Sequence, residues 1–364
     1  AQALPDKPTA LPGGPANMQR VSKGVALALK SRATLYLASP LFNPSADAAR
    51  WQTAAAAAYE LISQAAAFGY ALDNDYQNLF GAINNQSPEV ILCRPEGKTT
   101  HFEAANYPIG VERGSGNTCP TENLVSAYEM KDGTAFDWNN AAQAADPYKN
   151  RDPRLQMTIV CNGSKWPGAV PVETFFGGKN GQPLRNATTT GYYLKKYLNN
   201  KVTFEAGKTT NSFDHNWILF RYAEILLNYA EAMAEAYGPD QTAAGLPLTA
   251  REAVNMVRAR KNVAMPPYPT GMPQAAFLAR LRNERHVELA FEGHRFWDLR
   301  RLKALDEMKD IYKVSIEKRD DGTLAYTREK LCTYAVTDKL YFYPFSNVEL
   351  HKNGHLIQNP GWAQ

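Results

Sequence analysis

Apolar residues recur at helical spacing in blocks near both ends of the chain and lose that spacing in the middle. Val25, Leu29, Arg32 and Tyr36 lie three or four positions apart, with Ser22 as a cap ahead of them and Pro40 as a stop behind, and they predict a helix over about 21–39. Trp51, Ala55, Ala58, Ile62 and Ala65 form a second stripe over about 47–68, closed by Gly69. The alanines of that stripe leave little side-chain bulk, so a neighbouring helix can approach closely. Two such helices on a short proline-containing turn predict a hairpin of the tetratricopeptide kind.

Helical periodicity returns at about Asn216. Ile218, Tyr222, Ile225 and Tyr229 share one stripe of a helix reaching Ala236, while Arg221, Glu224, Asn228, Glu231 and Glu235 make a separate polar stripe. Thr249 and Glu252 fit a capping box ahead of a helix to about Arg260. Pro273 suits the first position of a helix running to Glu292, with Gly293 as its stop. A short amphipathic helix with Phe296, Leu299 and Leu302 follows, and the tail from Lys339 reads as extended. The fold class is therefore mainly α, with a few short strands.

Between Cys93 and His215 the pattern dissolves into Gly, Pro, Asn, Thr and Asp. Leu155–Val160, Glu173–Phe176 and Tyr192–Tyr197 are the candidate strands there. A long irregular stretch inside one domain is usually functional. The boundaries drawn are 20–92 for the first hairpin and 93–215 for a loop-rich, ligand-facing insertion. Helical repeats occupy 216–303, and 304–364 is a C-terminal loop and tail, all within a single unit over 1–364.

Composition narrows the function. Hydrophobic residues make up 44% and charged residues 21%, the balance of an ordered globular chain. The net charge of +4 is spread along the chain with no concentrated basic patch, which argues against a nucleic-acid partner. No run of roughly 18 apolar residues is present to span a bilayer. Residues 1–17 lack the basic and apolar regions of a signal peptide and read as a linker or interior start, with the natural chain beginning earlier. Cys93, Cys119, Cys161 and Cys332 show no CxxC and no zinc spacing, and read as structural or free thiols.

Catalytic motifs are weak. Gly97-Lys98-Thr99 and Gly207-Lys208-Thr209 end like phosphate loops, but Leu92 and Val202 stand where the earlier glycine belongs. Asp73, Asp75 and Gln77 hint at a calcium loop without its central Gly or terminal Glu. Neither a metal nor a cofactor is expected. The densest charge lies between Arg282 and Arg301. On a helix, Phe277, Leu281, Glu284, Glu288 and Phe291 fall within an arc of about 80°, which puts two carboxylates inside an apolar face. Buried carboxylates need partners, and Arg221, Arg258, Arg260 and Arg295 on neighbouring helices can supply them. With Glu231, they make a structural ion-pair network rather than a catalytic pair. The ligand-binding candidates are loop residues, His101, Phe102, Tyr107, Trp138 and Trp166. Sugar rings stack on aromatic faces, and Trp138 is flanked by Asp137, Asn139 and Asn140, which can bond hydroxyls.

Several motifs in order resemble the SusD/RagB family. They are Arg20-Val21-Ser22-Lys23-Gly24; Tyr70-Ala71-Leu72 with Tyr76 and Leu79-Phe80; Pro120-Thr121-Glu122-Asn123-Leu124-Val125; and Arg151-Asp152-Pro153-Arg154. Further on come Arg221-Tyr222-Ala223-Glu224, Glu288-Leu289-Ala290-Phe291-Glu292-Gly293-His294-Arg295 with Asp298-Leu299-Arg300-Arg301, and finally Tyr343-Pro344-Phe345 with Gln358-Asn359-Pro360-Gly361. The resemblance implies a tetratricopeptide-like helical fold and a non-enzymatic glycan-capture lipoprotein on the outer-membrane surface of Bacteroidota. It also implies a SusC-like TonB-dependent transporter as partner. The lipid anchor and part of the glycan site would belong to an N-terminal portion absent from this chain. Capture of oligopeptides, as in RagB-like members, is the alternative within the family. A pure helical scaffold or a hydrolase with carboxylates about 5–10 Å apart are the readings outside it.

Overall fold

The computed structural model describes residues 4–7, 17, 19–208 and 210–362. Three helices open the chain: α1 (Lys23–Ala38), α2 (Ala48–Ile62) and α3 (Ala65–Phe68). The cap read from the sequence holds α1, and Asp47 caps α2. The Ser22 hydroxyl accepts from the Val25 N–H at 3.3 Å, and the Asp47 carboxylate from the Ala49 N–H at 2.9 Å. Gly69, at φ 71°, ends α3 in the left-handed conformation that glycine adopts without penalty. The α1 stripe is rotated from expectation. Leu29 is exposed, and Leu27, Ala28, Ser31 and Leu35 face inward instead. Small residues at 24, 28 and 31 bring α1 close to its neighbours, so the inward face follows size rather than apolar count.

The middle segment runs through β1 (Val90–Thr99), α4 (His101–Asn106), α5 (Glu122–Ala127), α6 (Ala141–Ala145) and α7 (Arg154–Thr158). It continues through β2 (Ile159–Val160) and β3 (Tyr193–Leu194) to β4 (Phe213–Arg221). β1 pairs antiparallel with β4, from Val90 against Arg221 to Thr99 against Phe213. That pair ties both ends of the irregular stretch together, and it corrects the expected helix start at Asn216, which lies in β4. Residues 154–158 are helical rather than extended, with only 159–160 in a strand, paired to 193–194. Residues 173–176 form no strand.

Next come α8 (Tyr222–Tyr237), α9 (Ala250–Arg258), α10 (Gln274–Glu288) and α11 (His294–Arg301). Thirteen of the sixteen α8 residues are buried, the mark of a helix surrounded by others. It packs against α1, α2, α9 and α10, and α2 offers it the alanine-rich face Ala54, Ala55 and Ala58. The polar stripe of α8 is inside as well, since Glu224, Asn228 and Glu231 are all buried. Thr249 and Glu252 form the capping box of α9. α10 stops at Glu288 rather than Glu292, and Gly293, at φ 81°, begins α11. The chain then makes a β-hairpin of β5 (Asp310–Lys318) and β6 (Leu324–Thr333), absent from the sequence reading, and ends after α12 (Asn347–Lys352). The tail folds back where the Gln358 amide donates to and accepts from the Phe345 backbone. Twelve α-helices and three two-stranded sheets, among the described residues, make the fold mainly helical. No helix among them is long and apolar enough to cross a membrane.

Candidate ligand-binding site

The candidate site stands on a buried ionic frame. Glu284 accepts from Arg154 Nη1 at 2.5 Å and from Arg258 Nη1 at 2.6 Å. Glu288 accepts from Arg154 at 2.8 Å, Arg221 at 2.7 Å and Arg260 at 2.9 Å. Glu89 bridges Arg221 and Arg260, while Glu292 bridges Arg221 and Lys196. Asp152 holds Arg154 from its other edge. Burial alone would raise the Glu288 carboxyl, but the Arg260, Arg221 and Arg154 guanidiniums outweigh it and hold it well below the usual carboxylate range. The same competition, won by Arg221 and Lys196, leaves Glu292 at about 2. Burial pushes the Lys196 ammonium down to about 8 in spite of Glu292.

Glu231 belongs to a second cluster. It accepts from Arg301 at 2.6 and 2.7 Å, and Asp298 joins Arg301 to Arg285. Arg295 joins neither cluster. It meets Glu307 at the surface, where both side chains are solvated, which corrects its expected place in the network. Its neighbour His294 turns inward instead, because the turn at Gly293 separates α10 from α11 and rotates the second helix. Arg154, Asp152, Glu89 and Lys196 were missed. Asp152, Glu89 and Lys196 come from loops, and Arg154 from the short helix α7, where helical arithmetic over long stripes cannot place them, although Arg151-Asp152-Pro153-Arg154 stood out as a motif.

Arg154 and Lys196 anchor the irregular segment to the helical frame, and above them the segment builds two adjoining clefts. The first, of about 430 Å³, has Asn78, Ile83, Lys195, Asn199 and Lys201 on its walls. The second, of about 520 Å³, is lined by Val170, Lys179, Asn180, Phe204 and Glu205. Trp166 and Asn200 line both. Most of the Trp166 ring is buried, so it offers an edge rather than a free face.

Of the five candidate ligand residues, Tyr107 and Trp166 meet at the second cleft, and His101, Phe102 and Trp138 lie apart from it. Tyr107 is 1% exposed, and its hydroxyl donates to the Val202 carbonyl at 3.0 Å and to that of Asn199. It is a buried residue packed edge-on to Trp166 at the base of the second cleft, with no free ring face. Phe102 is half-buried against His215 and Trp217, while His101 is exposed. Trp138 lies in a different small core. Its ring is half-buried, and its indole N–H donates to the buried Glu122 carboxylate at 2.8 Å instead of being free for a hydroxyl. The amides that line the first cleft, Asn78, Asn199 and Asn200, were missed because solvated asparagines are common in any loop.

All four cysteines are free thiols, with Cys93 and Cys161 buried. Burial raises the Cys93 thiol to about 11, which keeps it protonated and unreactive at neutral pH.

The model of the SusD family matches residues 88–362. SusD-like protein P2 of Formosa agariphila is 25% identical over 349 residues, covering 93% of this chain and 60% of that relative. The chain thus spans about three fifths of the length of that curated relative. A crystal structure of a SusD-like protein from Bacteroides fragilis superposes with a TM-score of 0.77 at 28% identity, over 99% of this chain and 68% of the other. A SusD-like carbohydrate binding protein from the same species gives a TM-score of 0.75 at 24% identity, over 96% of this chain and 67% of the other.

Proposed function

The chain belongs to the SusD family, and from that premise we propose that it captures glycans at the cell surface, without cleaving them, for a SusC-like TonB-dependent transporter. The surface in question is the outer membrane of a member of the Bacteroidota, where the protein would act as a lipoprotein. The observation that carries the reading is the pair of clefts meeting at Trp166 and Asn200. Aromatic edges and side-chain amides on a rigid base suit sugar rings and hydroxyls. A carbohydrate-binding relative with the same fold supports it. Capture without turnover is supported by the fate of the acids. Glu284 and Glu288 are buried beneath arginines, out of reach of a glycosidic bond.

Within this reading the α1–α2 and α8–α9 pairs are tetratricopeptide-like hairpins, since each helix packs on its successor. The loop segment and the helices form one unit joined through Arg154. Stacking falls to the Trp166 edge, with Trp138, Phe102 and His101 as outlying contacts.

Isothermal titration of the full-length protein against an oligosaccharide panel tests the proposal. Binding at roughly micromolar to millimolar Kd, about −8 to −4 kcal/mol, weakened by Asn200→Ala and Trp166→Phe and accompanied by no new reducing ends, is the expected result. Binding of oligopeptides in place of every sugar would move the protein to the RagB-like reading. Product release lost in a single-carboxylate variant would make it a hydrolase.

A further inference from the structure

The first cleft has a one-sided charge. Lys195, Lys196 and Lys201 line it, and no aspartate or glutamate does. The Lys196 ammonium is already engaged below the floor, 2.8 Å from Glu292 and 2.8 Å from the Ala290 carbonyl oxygen. Lys195 and Lys201 are different. Neither has a carboxylate within ion-pair distance among the described residues. Lys195 is half-buried, and its Nζ reaches only a backbone oxygen, that of Gln156 at 2.7 Å. The carboxylates behind the wall offer no compensation. Glu292 is taken by Arg221 and Lys196, and Glu103 by His215 at 2.9 Å. Burial lowers the Lys195 ammonium below the ordinary lysine range, as it does for a cation short of a counter-charge.

A concave wall carrying one sign of charge focuses its field on the space it encloses. The other groups facing that space are neutral: the Asn78, Asn199 and Asn200 amides and the edges of Phe80 and Trp166. At about 430 Å³ the cleft has the size of a small-ligand site. Amides and ring edges suit a sugar, and the two free ammonium groups suit an anion on it. We infer that this cleft receives an acidic sugar residue of an anionic glycan, whose carboxylate or sulfate pairs with Lys195 and Lys201. The inference rests on the glycan-capture reading and narrows its ligand class.

The experiment titrates the full-length protein with three oligosaccharides of one backbone: uronate-bearing, sulfated and neutral. Sodium sulfate alone serves as a fourth ligand. Titrations are run at low and high NaCl, with wild type, Lys195→Met/Lys201→Met and Lys195→Arg. The acidic oligosaccharides should bind at least about tenfold more tightly than the neutral one at low salt, roughly 1.4 kcal/mol. That advantage should shrink at high salt as screening shortens, vanish in the double methionine variant and survive in Lys195→Arg. Whichever acidic ligand keeps the larger advantage names the anion. Equal binding of neutral and acidic oligosaccharides, unchanged in the double variant, would overturn the inference and leave glycan capture standing. Sulfate alone binding as tightly as the sulfated oligosaccharide would also overturn it, since the sugar would then contribute nothing. Binding of no oligosaccharide at all would remove the parent reading too. Melting curves separate a lost site from a lost fold. If the double variant melts early, Lys201→Met alone, an exposed position, must still reduce the acidic advantage.

Discussion

Glu288→Ala is the sharpest test of the buried frame. The substitution removes a carboxylate that accepts three charge-assisted hydrogen bonds, from Arg154, Arg221 and Arg260, with no solvent to replace them. The guanidiniums keep other acids, since Glu284 and Asp152 remain on Arg154, Glu89 and Glu292 on Arg221, and Glu89 on Arg260. The loss is therefore that of one corner of a lattice rather than total uncompensation, about 3–5 kcal/mol for a buried pair broken from one side. With an unfolding entropy of about 2.1 cal/mol/K per residue over 364 residues, that lowers Tm by about 4–7 °C. Glu60→Ala, whose partner Lys30 is solvated at the surface, is the control, and about 0–1 kcal/mol should move Tm by no more than roughly 1 °C. Differential scanning calorimetry at pH 7 reads both. The sign of the pH dependence follows from the depressed carboxyl. Its contribution is whole above the unfolded value of 4.5 and declines as pH falls toward the folded one, so the gap between wild type and variant narrows below about pH 4.5. A Glu288→Ala protein melting within 1 °C of wild type at pH 7 would refute the frame as a source of stability.

Acid should weaken the wild-type protein in the same direction through other groups. Glu292 is held at about 2 and His294 is pushed by burial down to about 4, so the unfolded chain binds more protons below pH 6.5, and a Tm that stays level from pH 7 to pH 3 would contradict this. Thr249→Ala removes the side-chain half of the α9 capping box and should cost about 0.5–2 kcal/mol by urea denaturation, whereas Thr249→Ser should recover most of it. Gly191→Ala places a Cβ 2.7 Å from the Val314 carbonyl oxygen at a backbone φ of 88°, and should destabilise by about 1–3 kcal/mol in the same assay.

The helical frame was legible because its signals are local. Ser22, Thr249 and Glu252 cap helices that begin where these residues say, and Gly69 stops one. The strand pairs were less legible. β1 contains Pro95 and Gly97 and shifts register three times against β4, so neither strand shows clean alternation. The β5–β6 hairpin did leave a signal in Asp321-Gly322, a turn pair between alternating residues, but the many Lys and Glu between them obscured it. At the candidate site, aromatic type was a poor guide to exposure. Tyr107 and Trp166 read like loop residues with free faces, yet both pack into a small core with Val160 and Tyr193. Fold-level burial of a loop residue depends on contacts far along the chain, which no local pattern carries. The lysines and asparagines of the first cleft come together through contacts distant in sequence, Lys196 with Glu292 and Asn199 with Glu103 among them.

That pinning, with Arg154 and the β1–β4 clasp, divides the irregular segment into separate closed arcs. One arc runs from the clasp to Arg154, a second from there to Lys196, and a third back to the clasp. The entropy of closing an arc grows only with the logarithm of its length, and doubling it costs about 0.6 kcal/mol. The exposed stretches of these arcs can therefore be lengthened or shortened at small entropic cost, provided the three fasteners and the buried residues stay. A scaffold of this kind separates the groups that hold its architecture from the exposed groups that line its clefts. A chimera that grafts only the exposed residues 168–170, on the wall of the second cleft, should change that wall while melting like its host.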